Sequence, residues 1–105
     1  MVVEDPFVRR FVAGVFRREG RPVIEAEMED ALRILREDPA AVSLLVTNRP
    51  WRFLEFTKTL RLIYIAAFPD AELAACFDHC CTLSKPFLPA DLTACAAELA
   101  LEYAR

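Results

Sequence analysis

The segment VSLLVTN (Val42–Asn48) decides the fold. Val42 to Val46 is almost wholly apolar, and the run stops at Thr47-Asn48. A strand with one wet face alternates apolar and polar residues, whereas a continuous apolar run predicts a central parallel strand covered on both faces. Upstream, Met28, Ala31, Leu32 and Leu35 recur at i, i+3, i+4 and i+7 and predict a helix that stops near Asp38-Pro39. Pro22 to Glu25, around Val23 and Ile24, reads as a short strand before it. Met1 to Val3 reads as another, ending in Glu4 and Asp5. Asp5-Pro6 then predicts a helix N-cap with proline at the first helical position. Phe7, Val8, Phe11, Val12, Val15 and Phe16 recur at helical spacing, and Gly20 is the natural C-terminal stop.

Downstream of Asn48, Trp51, Leu54 and Lys58 mark a short third helix. LIYIAA (Leu62–Ala67) is a fourth strand, and Pro69-Asp70 opens a fourth helix through Leu73 and Phe77. Cys80–Leu83 is a fifth strand. Pro89–Tyr103 is a final amphipathic helix with Leu92, Cys95, Ala96, Leu99 and Tyr103 inward. Five strand–helix units in series predict an α/β fold: one domain over residues 1–105, a doubly wound (βα)5 three-layer sandwich. It is of the flavodoxin-like kind, with parallel sheet order 2-1-3-4-5. Ligands of such sheets sit at the carboxyl ends of the strands, here Glu4-Asp5, Asn48, Ala66-Ala67 and Ser84-Lys85.

Composition narrows the function. An apolar share of 55% in 105 residues excludes intrinsic disorder. Thirteen basic against sixteen acidic residues argue against a dedicated nucleic-acid binder. No apolar run approaches the roughly 18 residues of a membrane span. The opening residues carry Glu4, Asp5, Arg9 and Arg10 and lack a signal-peptide pattern, so the expected location is cytoplasmic. Two glycines, Gly14 and Gly20, are few for a fold whose loops handle ligands.

VVEDPFVRR (Val2–Arg10), LLVTN (Leu44–Asn48), IYIAAFPDAEL (Ile63–Leu73) and LSKPFLPADL (Leu83–Leu92) resemble bacterial response-regulator (CheY-like) receiver domains over essentially the whole chain. The resemblance implies a two-component phosphorelay: an aspartate ending the third strand takes a phosphoryl group from a histidine kinase. An acidic pair holds Mg²⁺, a Ser or Thr ends the fourth strand, and a lysine binds the phosphoryl oxygens. Glu4 and Asp5 match the acidic pair and Lys85 matches the lysine. The departures are chemical. Asn48 stands at the acceptor position, and an amide is a poor nucleophile. Ala66 replaces the hydroxyl and Thr82 replaces the switch aromatic. With Asn48 neutral, Mg²⁺ at Glu4 and Asp5 is expected to be weak or vestigial, no cofactor is required, and the carboxylates become charge partners for Lys85.

The implied function is a degenerate stand-alone receiver, or pseudo-receiver, that is no enzyme and signals by phosphorylation-independent protein–protein contact. Its partner is a histidine kinase or downstream regulator, or a second copy in a homodimer, with no direct nucleic acid and no membrane. Receivers commonly use the fourth helix, fifth strand and fifth helix as contact surfaces; the first helix is the other expected surface. The alternative is a small-ligand or divalent-metal sensor using the remnant pocket of Glu4, Asp5, Asn48 and Lys85.

Three further features bear on these readings. Thirteen residues, Arg49 to Arg61, close the crossover between the third and fourth strands. That is just above the minimum of about 10–12, so the helix should be short and irregular. Trp51, Phe53, Leu54 and Phe56 exceed what one helix face buries, which makes Trp51 or Phe53 a candidate interaction surface. Cys76, His79, Cys80 and Cys81 cluster without C-x2-C spacing, and neighbours on a strand point to opposite faces, so reduced cysteines are expected with Cys95 buried among them. Arg17, Arg18 and Arg21 form a basic group expected to be a solvated face.

Overall fold

Neighbouring residues on each strand bury their side chains on opposite faces of a sheet. Val2, Val46, Ile63 and Ile65 enter one apolar cluster with Val12, Val15 and Phe16 and with Leu92, Cys95, Ala96 and Leu99. Val3, Leu45, Leu62 and Tyr64 enter the other, with Leu32, Leu35, Phe53, Phe56 and Phe77. This period-two division between two covered faces is why the strands read as continuous apolar runs. The computed structural model describes residues 1–104, and side chains through residue 101. The side chain of Tyr103, predicted inward, lies outside the described side chains.

Among the described residues the sheet has four parallel strands in the order β1-β2-β3-β4: β1 (Val2–Val3), β2 (Leu45–Thr47), β3 (Arg61–Ala66) and β4 (His79–Ser84). Helices α1 (Pro6–Arg18) and α4 (Pro89–Ala104) cover one face. Helix α2 (Met28–Glu37), a 3-10 stretch at Pro50–Phe56 and the single-turn α3 (Ala71–Ala75) cover the other. The architecture is thus α/β with a parallel sheet between helices.

The predicted strand at Pro22–Glu25 is not a strand here. It makes one parallel bridge, Val2 to Glu25, held by Val2 N–H donating to the Ile24 carbonyl at 2.8 Å and Ala26 N–H to the Val2 carbonyl at 3.1 Å. Pro22 lacks a backbone donor, and Ile24 and Glu25 are exposed, so little burial holds the segment to β1. The strand predicted at Val42–Val46 begins later, at Leu45, because a 3-10 turn at Pro39–Ala41 takes up the preceding chain. Val42 still packs in the core, outside the ladder.

The third crossover is short and irregular, as its thirteen residues demand. Its 3-10 stretch kinks at Phe53 (φ −118°, ψ 21°). The kink drives Phe53 and Phe56 into the core, fully and nearly buried, and leaves Trp51 and Leu54 about half exposed. At the end of α1, Gly20 adopts φ +80°, with Gly20 N–H donating to the Arg17 carbonyl and Arg21 N–H to that of Phe16, both at 3.0 Å. These paired bonds close the last helical carbonyls, and the left-handed residue they need is the one glycine the turn supplies.

The cysteine expectation is corrected. Cys81 on β4 and Cys95 on α4 form a disulfide, with Cα atoms 5.8 Å apart. Cys81 faces α4 across the sheet surface, so a residue of the edge strand meets the helix that packs on it. Cys76 is an exposed thiol and Cys80 packs partly buried against the opposite cluster. Adjacent Cys80 and Cys81 do point to opposite faces, and among the described residues no group of His, Cys, Asp and Glu is placed to hold a metal ion. No described helix is long and apolar enough to cross a membrane.

Candidate functional site

The carboxyl ends of the strands collect the polar residues that the sequence singled out. Glu4 and Asp5 follow β1, Asn48 follows β2, Ala66 ends β3, and Lys85 follows β4. A cleft of about 110 Å³ is lined by Glu4, Asp5 and Asn48, and also by Glu27, Met28 and Arg49. The last three were not singled out; α2's start and the residue after Asn48 reach the cleft only through the tertiary fold.

Glu4 is the buried member. One carboxylate oxygen, Oε1, accepts the Asp5 backbone N–H at 2.9 Å. The other, Oε2, has no hydrogen-bond partner and lies 3.5 Å from the Lys85 Nζ. That separation gives charge compensation without a well-formed hydrogen bond. Burial pushes the Glu4 carboxyl above its ordinary range, while the Asp5 amide and the Lys85 ammonium pull it back. Burial dominates because the side chain is fully covered, whereas Lys85 remains 30% exposed and is shared with water. Lys85 N–H donates to the Ala66 carbonyl at 2.8 Å, and the Lys85–Pro86 peptide is cis.

The remaining positions divide. Thr47 is fully buried and its Oγ1 accepts the Arg49 N–H at 3.1 Å, so the chain turns sharply after Asn48. Asn48 is partly buried at the cleft and Ala66 is half-buried. Thr82 is exposed on β4, two residues from the end of the strand and away from the cleft lining. Phe53, a candidate for the surface, is fully buried and is withdrawn from it; Trp51, 52% exposed, keeps the place.

A divalent cation fits this donor set poorly. Mg²⁺ asks for near-octahedral oxygen ligands and usually one or two carboxylates with waters. Here one Glu4 oxygen is committed to a backbone amide, and the other already faces an ammonium that a cation would have to displace. Asn48 adds no charge. The pair Glu4–Lys85 therefore neutralises charge at the strand ends, and the cleft positions the Asn48 amide and the exposed Asp5 carboxylate.

Helix α1 turns part of its apolar stripe outward. Its six apolar residues span about 180° at roughly 100° per residue, more than one buried face. Val12, Val15 and Phe16 are buried, but Phe7 is 87% exposed and Phe11 is 40% exposed. The width of the stripe was the signal that part of it faces outward. The basic group near its end is mostly paired rather than merely solvated: Arg17 meets Glu25 at 2.8 Å, and Arg21 meets Glu19 at 3.5 Å and stacks over Phe16. No family model, curated protein or solved structure matches the chain.

Proposed function

We propose that this chain is a receiver-like signalling domain that has lost phosphoryl chemistry and acts through protein–protein contact. The observation that carries the reading is the closed pair at the strand ends: Lys85 lies 3.5 Å from buried Glu4, and Glu4 shares its cleft with an amide at Asn48. A lysine kept for a phosphoryl group is here occupied by a carboxylate. The pseudo-receiver reading also takes the bridge between Val2 and Glu25 as the remnant of a fifth, edge strand, which makes the order 2-1-3-4-5.

The small-ligand alternative is weaker on size. Ligand pockets of roughly 300–1,000 Å³ are usual, and this cleft holds about 110 Å³. Incubation with acetyl phosphate and Mg²⁺, followed by intact-mass measurement, tests the proposal. The expected mass is unchanged; a stable gain of one phosphoryl group overturns it.

A further inference from the structure

The disulfide between Cys81 and Cys95 joins two elements that also pack without it. Strand β4 pairs with β3 along its whole length, from His79 to Ser84. Helix α4 is seated on the sheet by Leu92, Ala96 and Leu99, all buried. The bond therefore adds a covalent link to an interface that apolar burial already forms. That packing is what sets the two Cα atoms 5.8 Å apart, within reach of a disulfide.

The two sulfurs differ in access. Cys95 is 4% exposed and sits in the cluster with Val12, Val15, Leu92 and Leu99. Cys81 is only partly buried and lies on β4, the edge strand of the sheet among the described residues. Thiolate attack on a disulfide depends on which sulfur can be reached. Here the reachable one is Cys81 Sγ, which makes Cys95 the leaving group. The other cysteines are on the wrong side for this attack. Cys80 packs on the opposite face, and Cys76 ends α3, which covers that same opposite face. The sheet stands between them and the bond, so the thiol that opens it comes from outside the chain.

Glu98 is placed for the reduced form. It follows Cys95 by three residues on α4, and its Oε2 lies 3.5 Å from Cys81 Sγ in a solvent-exposed contact. A disulfide sulfur has no proton to donate, whereas a thiol has one. The carboxylate can thus accept a hydrogen bond from Cys81 only after reduction. Before reduction its negative charge, beside the sulfur to be attacked, repels an anionic thiol.

We propose that Cys81 Sγ is a thiol–disulfide exchange site, opened by an external dithiol whose reactive end carries no net negative charge beyond its thiolate, so that the β4–α4 link is a reversible redox tie. One reductant thiolate bonds to Cys81 Sγ, the Cys81–Cys95 bond breaks, and Cys95 leaves as a thiolate that takes a proton from water. The second reductant thiol gives up its proton to water and attacks the reductant sulfur of the mixed disulfide. A disulfide closes within the reductant, and Cys81 leaves, gains a proton and donates it to Glu98 in a hydrogen bond. Two electrons and two protons have passed from the dithiol to the chain. No residue of the strand-end cleft takes part, so the inference stands apart from the receiver-like reading.

The test exposes the folded, oxidised chain, without denaturant, to cysteamine, a cationic thiol, and to glutathione, an anionic one. Acid quenching and peptide mapping then locate the mixed disulfide. It is expected on Cys81, with cysteamine faster than glutathione at equal thiolate concentration. Glu98→Gln, an exposed substitution, should narrow that preference by about threefold or more. Dithiothreitol should open the bond while the far-ultraviolet circular dichroism keeps its helical signal, and glutathione disulfide should restore it. Amide hydrogen exchange in α4 and β4 should quicken on reduction, while that of α2 holds. A chain that lacks the bond, or whose bond resists all three thiols until denaturant is added, overturns the proposal. So does a mixed disulfide on Cys95, Cys76 or Cys80, unfolding on reduction, exchange unchanged in α4 and β4, or a thiol preference unmoved by Glu98→Gln.

Discussion

At Glu4 a fully covered carboxyl group keeps one oxygen without a hydrogen bond, and its titration is shifted upward by burial. The folded state therefore holds the Glu4 proton more tightly than the unfolded chain does. Stability from this group is fully present below the unfolded value near 4.5. It is lost as pH rises through the higher folded value. Denaturant midpoints measured from pH 4 to 7 should fall along this limb, and Glu4→Gln should flatten it. Glutamine keeps an oxygen for the Asp5 amide and carries no charge to desolvate, so the variant is expected to match or exceed the native chain at pH 7. A limb unchanged by the substitution assigns the slope elsewhere. Lys85 explains why the site tolerates the charge at all, since a buried carboxylate without a nearby cation is much costlier.

At the scale of elements, the link between β4 and α4 makes a measurable claim. Cys81 and Cys95 are 14 residues apart, and closing such a loop restricts the unfolded chain by about 3 kcal/mol. Alkylation of the denatured, unreduced chain should label two cysteines, and four after reduction. Reduction should lower the unfolding free energy by about that amount, and labelling of all four without reductant would refute the bond. Much of this layer was legible in the sequence. Helices α1, α2 and α4 announced themselves by periodicity and by Asp5-Pro6, Gly20 and Asp38-Pro39, because propensity and burial agree there. The irregular third crossover followed from chain length alone. The disulfide was not legible, since pairing depends on which strand face meets which helix. The segment Pro22–Glu25 read as a strand because its β-branched pair has the right local preference, but a ladder needs burial that Ile24 does not find. The first helix read as a possible surface, but which of its apolar residues face outward did not, since periodicity states spacing and only the neighbours state depth.

For the whole molecule, the two apolar clusters share one sheet and should melt together. Strands that send alternate side chains to both faces couple the clusters mechanically, so loss on one face is felt by the other. Phe53→Ala empties the centre of one cluster and should cost about 3–5 kcal/mol. Trp51 fluorescence and far-ultraviolet circular dichroism should still report one coincident transition. Two separated transitions would show that the faces unfold independently. The position of the polar pair was legible at this scale from topology, because parallel strands bring their carboxyl ends to one edge. That Glu4 and Lys85 close on each other there was foreseeable from charge; that Arg49, Glu27 and Met28 join the cleft was not.

The single bridge from Val2 to Glu25 also bears on the order in which the chain can assemble. Strand β1 has only two residues, and its ladder partner Val46 lies 44 positions away. Glu25 lies 23 positions away. Halving a loop lowers its closure cost by roughly 0.6 kcal/mol. During synthesis, residues 24–26 emerge well before 45–47. The bridge therefore offers β1 a partner nearer in sequence than β2, at a lower closure cost.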